Sequence, residues 1–234
     1  MLRIAVARVP DAPAGSDDAA AAWMGDSERR RLGQLAPAAR REFVASRALL
    51  RGLLRAATGV PEAAWDVSAE AGAAPLARTA VPSALHVSLS HRLGWVAAAV
   101  SDAPVGVDIE CERPVRSDVR ERAALMLSPA ELQDWQALQP EALEHALLTR
   151  WTAKEAWFKA SPPDAAPWDF RRIAARACAR ASQDANVRTW AAPPVHVALC
   201  CRDASALAGV DCEGLAFATT HDSFWHVHRA GFAT

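Results

Sequence analysis

A chain of 234 residues, 51% hydrophobic and 23% charged, is large enough for one large or two small globular domains with ample core. Its formal net charge of -1 gives no general attraction to nucleic acid or anionic membrane, and no apolar run of about 18 residues offers a membrane span. MLRIAVARVP is too short and too interrupted by arginine for a signal peptide, so a cytoplasmic protein is expected. The five cysteines (Cys111, Cys178, Cys200, Cys201, Cys212) show no CxxC spacing and read as reduced, structural thiols.

In chain order, residues 2–9 open as a strand and the Ala-rich stretch 11–22 as a loop or frayed helix start. From Pro37 an amphipathic helix runs to Gly59, with Phe43, Leu49, Leu50, Leu53 and Leu54 on one arc. Arg40, Arg47, Arg51 and Arg55 form the adjoining arc, either a solvated basic face or a phosphate clamp built on Arg47. Residues 85–100 read as a hairpin turning at HRLG, and VGVDIE (105–110) as a third strand. Ser128, Pro129 and Glu131 make a capping box for a helix over 128–138, and a longer helix follows from about 141 to 159. SPPDAAPWD (161–169) breaks it, and RRIAARACARA, VHVALCC, LAFATT and FWHVHRAG are short strand candidates. The organisation is α+β.

Two stretches carry chemistry. In the strand GVDIE, Val107 and Ile109 face one way and Asp108 and Glu110 the other, roughly 6–7 Å apart by the strand rise. Side by side they repel unless a cation lies between them, and a hard divalent ion such as Mg²⁺ is a natural bridge; an exposed acidic edge strand is the plainer alternative. In WTAKEAWFKA (151–160), Trp151, Glu155 and Lys159 share one helix face with Lys154 beside them. A third carboxylate and two ammonium groups are what Mg²⁺-assisted transfer of a phosphate ester needs, although a Glu and a Lys four residues apart are also an ordinary surface pair.

GVDIE followed by WTAKEAWFK resembles the two signature motifs of the 4′-phosphopantetheinyl transferases of the surfactin-synthetase-activating (Sfp) type, (I/V)G(I/V)D(I/V)E and then (F/W)(S/T/C)xKE(A/S)xxK. SERRR with RREFVASRALLR (27–51), LSHRLGWVAAAV (89–100) and LSPAEL (127–132) resemble further family segments in the same order, so the likeness covers about residues 25–160. The resemblance implies a pseudo-two-fold arrangement of two similar halves, 1–111 and 112–234, each a small antiparallel sheet packed with a long helix, and a monomer. It implies transfer of the phosphopantetheine arm of coenzyme A to a serine of an apo acyl or peptidyl carrier protein, releasing 3′,5′-ADP. Asp108, Glu110 and Glu155 would hold Mg²⁺, and Glu155 would take the serine proton. Lys159 would neutralise the transferring phosphate. Lys154, Arg47, Ser90 and His91 would contact coenzyme A, His91 at the 3′-phosphate. A non-catalytic coenzyme A or carrier-protein binder, and another Mg²⁺-dependent phosphotransfer or phosphohydrolase enzyme, are the alternatives.

Three details bear on that assignment. The family's G(K/R)P element is replaced by EAGAAPLAR (70–78), with Ala73 and Ala74 where its basic residue is expected; Arg78 or one of Arg29 to Arg31 is the candidate substitute. GVDCE (209–213) echoes GVDIE but follows the WTAKE helix and runs into Gly214, so Asp211 and Glu213 are expected on an exposed turn. His221, His226, His228, Cys200 and Cys201 lie at no ligand spacing and are expected to form no metal site.

Overall fold

The computed structural model describes residues 1–10, 22–80, 84–112, 118–162, 169–180, 182–214 and 221–230. The elements are β1 Leu2–Arg8, α1 Asp26–Gly33, α2 Pro37–Thr58, β2 Asp66–Val67, β3 Ala77–Arg78, β4 His86–Arg92, β5 Trp95–Ser101 and β6 Val105–Cys111. Then follow α3 Val119–Met126, α4 Pro129–Gln136, α5 Leu143–Ala160, β7 Ile173–Cys178, β8 Val187–Ala192, β9 Val195–Cys201, α6 Ala204–Gly209, β10 Cys212–Glu213 and β11 His221–Arg229. LAFATT, most of the Ala-rich stretch and most of the proline-rich break lie outside the described residues. Among the described residues no helix is long and apolar enough to cross a membrane.

The strands form a four-stranded sheet in the order β10-β1-β5-β4, a five-stranded sheet in the order β6-β9-β8-β11-β7, and a two-stranded ribbon of β2 and β3. The α+β class holds. Within the large sheets one pattern occurs twice: β1-β5-β4 and β6-β9-β8 are both antiparallel, each a first strand followed by a long helix and then a hairpin. The echo is one of connection, and the flanking strands β10, β11 and β7 differ. In this order the GVDIE strand opens the second unit by pairing with β9, whereas a division after residue 111 leaves it with the first.

The alternation of β6 explains where the core sits. Val105, Val107 and Ile109 point at the first sheet, packing with Ile4, Val6, Ala97 and Ala99 alongside Val197 and Leu199. The outer faces are closed by helices: Leu50, Leu53 and Leu54 of α2 lie on Ala5, Ala98 and Val100, while Ala153 and Ala156 of α5 lie on Ala198 and Cys200. The chain therefore stacks helix, sheet, sheet and helix, and the even-numbered residues of β6 face α5. Gly59, at φ 75°, ends α2 in the left-handed conformation that glycine adopts without steric cost.

At Gly106 the strand and α5 meet backbone to backbone. A side-chain carbon there would fall 2.0 Å from Ala156 O and 2.7 Å from Ala160 N. The helix can lie this close because Ala153 and Ala156 are small. Gly106→Ala should push α5 off β6 and destabilise the protein by about 1–3 kcal/mol, the usual cost of overpacking. A thermal melt within 1 °C of wild type would show that the helix accommodates the methyl freely.

Candidate active site

Three elements converge at the Gly106 contact. β6 supplies Asp108 and Glu110, α5 supplies Trp151, Glu155 and Lys159, and β4 supplies Ser90 and Arg92. Asp108 is buried; Ser90 Oγ donates to its Oδ1 at 2.8 Å and Lys159 Nζ at 2.6 Å. Its other oxygen, Oδ2, is buried without a hydrogen-bond partner. Lys159 also donates to Ser90 Oγ at 3.1 Å and to Val107 O at 3.3 Å. Glu110 Oε2 lies 3.0 Å from Arg92 Nε, and Trp151 Nε1 donates to Glu110 Oε1 at 3.3 Å.

Crowding and burial leave their mark on the acids. Burial first, then the neighbouring Asp108 and Glu110, pushes the Glu155 carboxyl up to about 7, against the pull of Lys159. Glu110 is raised by burial and Asp108, with Arg92, Trp151 and Lys159 opposing. A buried oxygen without a donor and two carboxylates with raised affinity for protons are the signature of an acidic cluster short of positive charge. Its oxygen donors suit Mg²⁺. They do not close on one point, however: among the described residues the one His/Cys/Asp/Glu trio whose ligand atoms lie within 4.8 Å of one another is Glu112, His145 and His196.

Other expected residues lie elsewhere. Lys154 has no exposed surface: Nζ donates to Glu131 Oε2 at 2.6 Å, Met126 O at 2.9 Å and Phe170 O at 3.2 Å. Glu131 also accepts from Ser128 N in the capping box and from Ala175 N of β7. Lys154 thus pins α5 to α4 and the second sheet, and its expected contact with coenzyme A does not fit this position. Arg47 is turned inward as well. It donates to Ser68 O at 3.1 Å, lies 3.8 Å from Glu28 Oε1 and stacks over Phe43. Arg51 makes a two-pronged contact with the same buried Glu28, at 2.9 and 2.5 Å. Arg47 and Arg51 of the basic arc therefore face an internal carboxylate, while Arg55 is exposed. Ser90, expected at the nucleotide end, holds Asp108 instead. His91 is 54% exposed at the rim, with Nδ1 2.9 Å from Glu42 Oε2, while Glu42 Oε1 accepts from Gly94 N. Arg92 and Glu42 are site residues that the motifs did not single out; Arg92 shares the strand face of Ser90, which was the available signal.

Asp211 and Glu213 are exposed as expected, but Cys212 and Glu213 also add a short parallel strand to β1, with Gly214 at φ 88° after it. They stand at the far edge of the first sheet from β4. Ala74 borders a cavity of about 260 Å³ that Lys159, His86 and Leu76 also line, so the segment lacking the family's basic residue does reach the site.

Residues 104–205, which hold both motifs, match the family model described as the 4′-phosphopantetheinyl transferase superfamily. Among curated proteins, the 4′-phosphopantetheinyl transferase psf-1 of Bacillus pumilus is 34% identical over 111 residues, covering 47% of this chain and 46% of that one. HetI of Nostoc sp., also named a 4′-phosphopantetheinyl transferase, is 32% identical over 127 residues, covering 53% of each chain. A Bacillus subtilis 4′-phosphopantetheinyl transferase is 33% identical over 75 residues, 32% of each. The matches span about half the length of these relatives or less. They bear out the resemblance drawn from the two motifs.

Two outcomes follow. Since the fold raises Glu155 above the ordinary glutamate value of 4.5, it holds a proton that the unfolded chain releases. Its ionisation therefore costs stability progressively from pH 4.5 to about 7, and fully above. In metal-free protein Glu155→Gln should melt higher than wild type at pH 8, the gain vanishing near pH 4.5; a gain independent of pH would remove the electrostatic cause. Lys154→Met should lose about 3–5 kcal/mol, because it strands the buried Glu131 carboxylate. Urea midpoints equal to wild type would show that the pair holds nothing together.

Proposed function

We propose that this chain is an enzyme that transfers 4′-phosphopantetheine from coenzyme A to a serine hydroxyl of an apo acyl or peptidyl carrier protein, with Mg²⁺, as a cytoplasmic monomer. The observation that carries the reading is the convergence of Asp108, Glu110, Glu155 and Lys159 beside Ser90, with Asp108 Oδ2 buried and unpartnered. These are the residues that the family motifs single out, drawn from two segments far apart in sequence.

In this reading Asp108, Glu110 and Glu155 would hold Mg²⁺, which would offset the charge of the diphosphate and of the leaving phosphate. Ser90 and Lys159 fix the Asp108 carboxylate; Arg92 and Trp151 fix Glu110. Glu155 would accept the serine proton, directly or through one water. The serine oxygen bonds to the phosphorus bearing the pantetheine arm as the bond to the other phosphate breaks, and that phosphate departs as 3′,5′-ADP. Lys159 gives positive charge beside the transferring group. Glu42 lies 2.9 Å from His91 Nδ1, and the exposed ring of His91 would meet the 3′-phosphate. Residues 1–111 supply the coenzyme A contacts at His91, and 112–234 the WTAKE helix.

The test is to incubate the protein with coenzyme A, Mg²⁺ and an apo carrier protein, then weigh the carrier. A gain of one phosphopantetheine is expected. Asp108→Asn and Glu155→Gln should each slow it at least about 100-fold, while Asp211→Ala with Glu213→Ala leaves it unchanged. An unmodified carrier with intact coenzyme A, or equal damage from the two acidic pairs, overturns the reading. His91→Ala should raise the KM for coenzyme A but not for dephospho-coenzyme A; equal losses remove His91 from the 3′-phosphate.

A further inference from the structure

Among the described residues, one cluster of ligating side chains lies outside the proposed active site. Glu112 follows β6, and its backbone N–H donates to Pro194 O at 2.7 Å, which fixes it past the end of the strand. His196 comes from β9 and is buried; its Nε2 lies 3.2 Å from Glu112 Oε1. His145, in the first turn of α5, places Nδ1 3.9 Å from the same oxygen, with its ring centroid 4.8 Å from that of His196. Glu112 and His145 are partly exposed, so one side of the cluster is open.

The protons on His196 follow from its other neighbour. Thr149 Oγ1 lies 2.9 Å from His145 O and 3.2 Å from His196 Nδ1. With the Thr149 hydroxyl donating to His145 O, its oxygen is free to accept from His196 Nδ1. In the neutral ring that carries its hydrogen on Nδ1, Nε2 presents a lone pair to a carboxylate oxygen. Two acceptors facing each other at a buried position are costly unless a cation lies between them. A proton on Nε2 would satisfy His196 and Glu112 alone. A metal ion satisfies His145 as well, which converges on the same oxygen.

We propose that Glu112, His145 and His196 form a binding site for a divalent transition-metal ion of borderline softness, zinc foremost, distinct from the Asp108, Glu110 and Glu155 cluster. Two imidazoles and one carboxylate with a fourth position open to water are a zinc donor set. At zinc–ligand distances near 2.0–2.1 Å, tetrahedral donors stand roughly 3.3 Å apart. The Glu112 oxygen stands 3.2 and 3.9 Å from the two ring nitrogens and all three ligand atoms lie within 4.8 Å of one another, so side-chain rotations that draw the imidazoles together reach that spacing. Mg²⁺ is a poor occupant, since it takes oxygen ligands in octahedral array. Thr149 is a positioning residue, accepting the far N–H of a ligating imidazole as supporting groups around metals do. The ion would tie the end of β6, the hairpin strand β9 and the start of α5 at one point.

The test uses the full chain, stripped with chelator and titrated with Zn²⁺ by calorimetry and with Co²⁺ by visible absorption. One equivalent of zinc is expected, with cobalt giving the intense bands of a tetrahedral site. His145→Ala and Glu112→Gln, both at partly exposed positions, should abolish the cobalt bands. Thr149→Val should weaken zinc about 10–100-fold. Asp108→Asn combined with Glu155→Gln should leave the zinc isotherm unchanged. No binding by the wild-type chain at equimolar zinc, an isotherm unaltered by His145→Ala, or binding lost with Asp108 and Glu155 would each overturn the proposal.

Discussion

The absence of a side chain at Gly106 sets the geometry of everything around it. Because β6 touches the α5 backbone at Ala156 and Ala160, the residues just before these two, Glu155 and Lys159, four apart on one helix face, are brought over the acidic face of the strand. A helix resting on ordinary side chains would stand several ångströms further off, beyond the reach of Lys159 Nζ to Asp108. The glycine in GVDIE is thus a statement about distance, and the two carboxylates after it have their neighbours because of it. The small Ala153 and Ala156 on the helix are the matching half of the same contact.

Two buried carboxylates elsewhere show how the fold treats charge in an ordinary internal ion pair. Glu28 is met by Arg51 and Arg47, and Glu131 by Lys154 and two backbone donors. Each has its opposite charge close at hand. At the candidate site the accounting is different: three acids share Lys159 and Arg92, one oxygen has no donor, and Glu155 and Glu110 are raised. Among the described residues Asp108 Oδ2 is the one buried carboxylate oxygen without a partner. That contrast separates the candidate site from an ordinary internal ion pair.

The same contrast explains what the sequence could say. Period-two alternation announced β6 and the SHRLGW hairpin, and helical periodicity with its caps announced α2, α4 and α5, because each buries one face and exposes another. β8 was not legible. Arg188 lies on a strand buried on both faces, folded back to Leu207 O, Val210 O and Asp222, so its alternating polarity signalled no exposed side. The inward contacts of Lys154 and Arg47 were not legible for a related reason: a cation bound to a buried carboxylate twenty or so residues away is written like one reserved for phosphate. Only the partner's position distinguishes them, and Glu28 and Glu131 gave no sign in the sequence of lying inside. The His145, Thr149 and His196 contacts were hidden because strand β9 and helix α5 meet only through the fold.

β6 is the edge strand of its sheet, and the edge that faces β4 is closed by side chains instead of a backbone ladder. Ser88 Oγ accepts from Val107 N, Ser90 and Arg92 meet Asp108 and Glu110, and Cys111 Sγ donates to Arg92 O. The seam between the two sheets is therefore sewn with the same groups that form the site. Backbone ladders tolerate almost any residue, whereas this seam does not, so drift at Ser88, Ser90 or Arg92 changes cohesion and chemistry together. Such a joint also resists strand invasion by other chains, since its free edge is occupied by serine and charge. The edge is thus protected by residues that also line the candidate site.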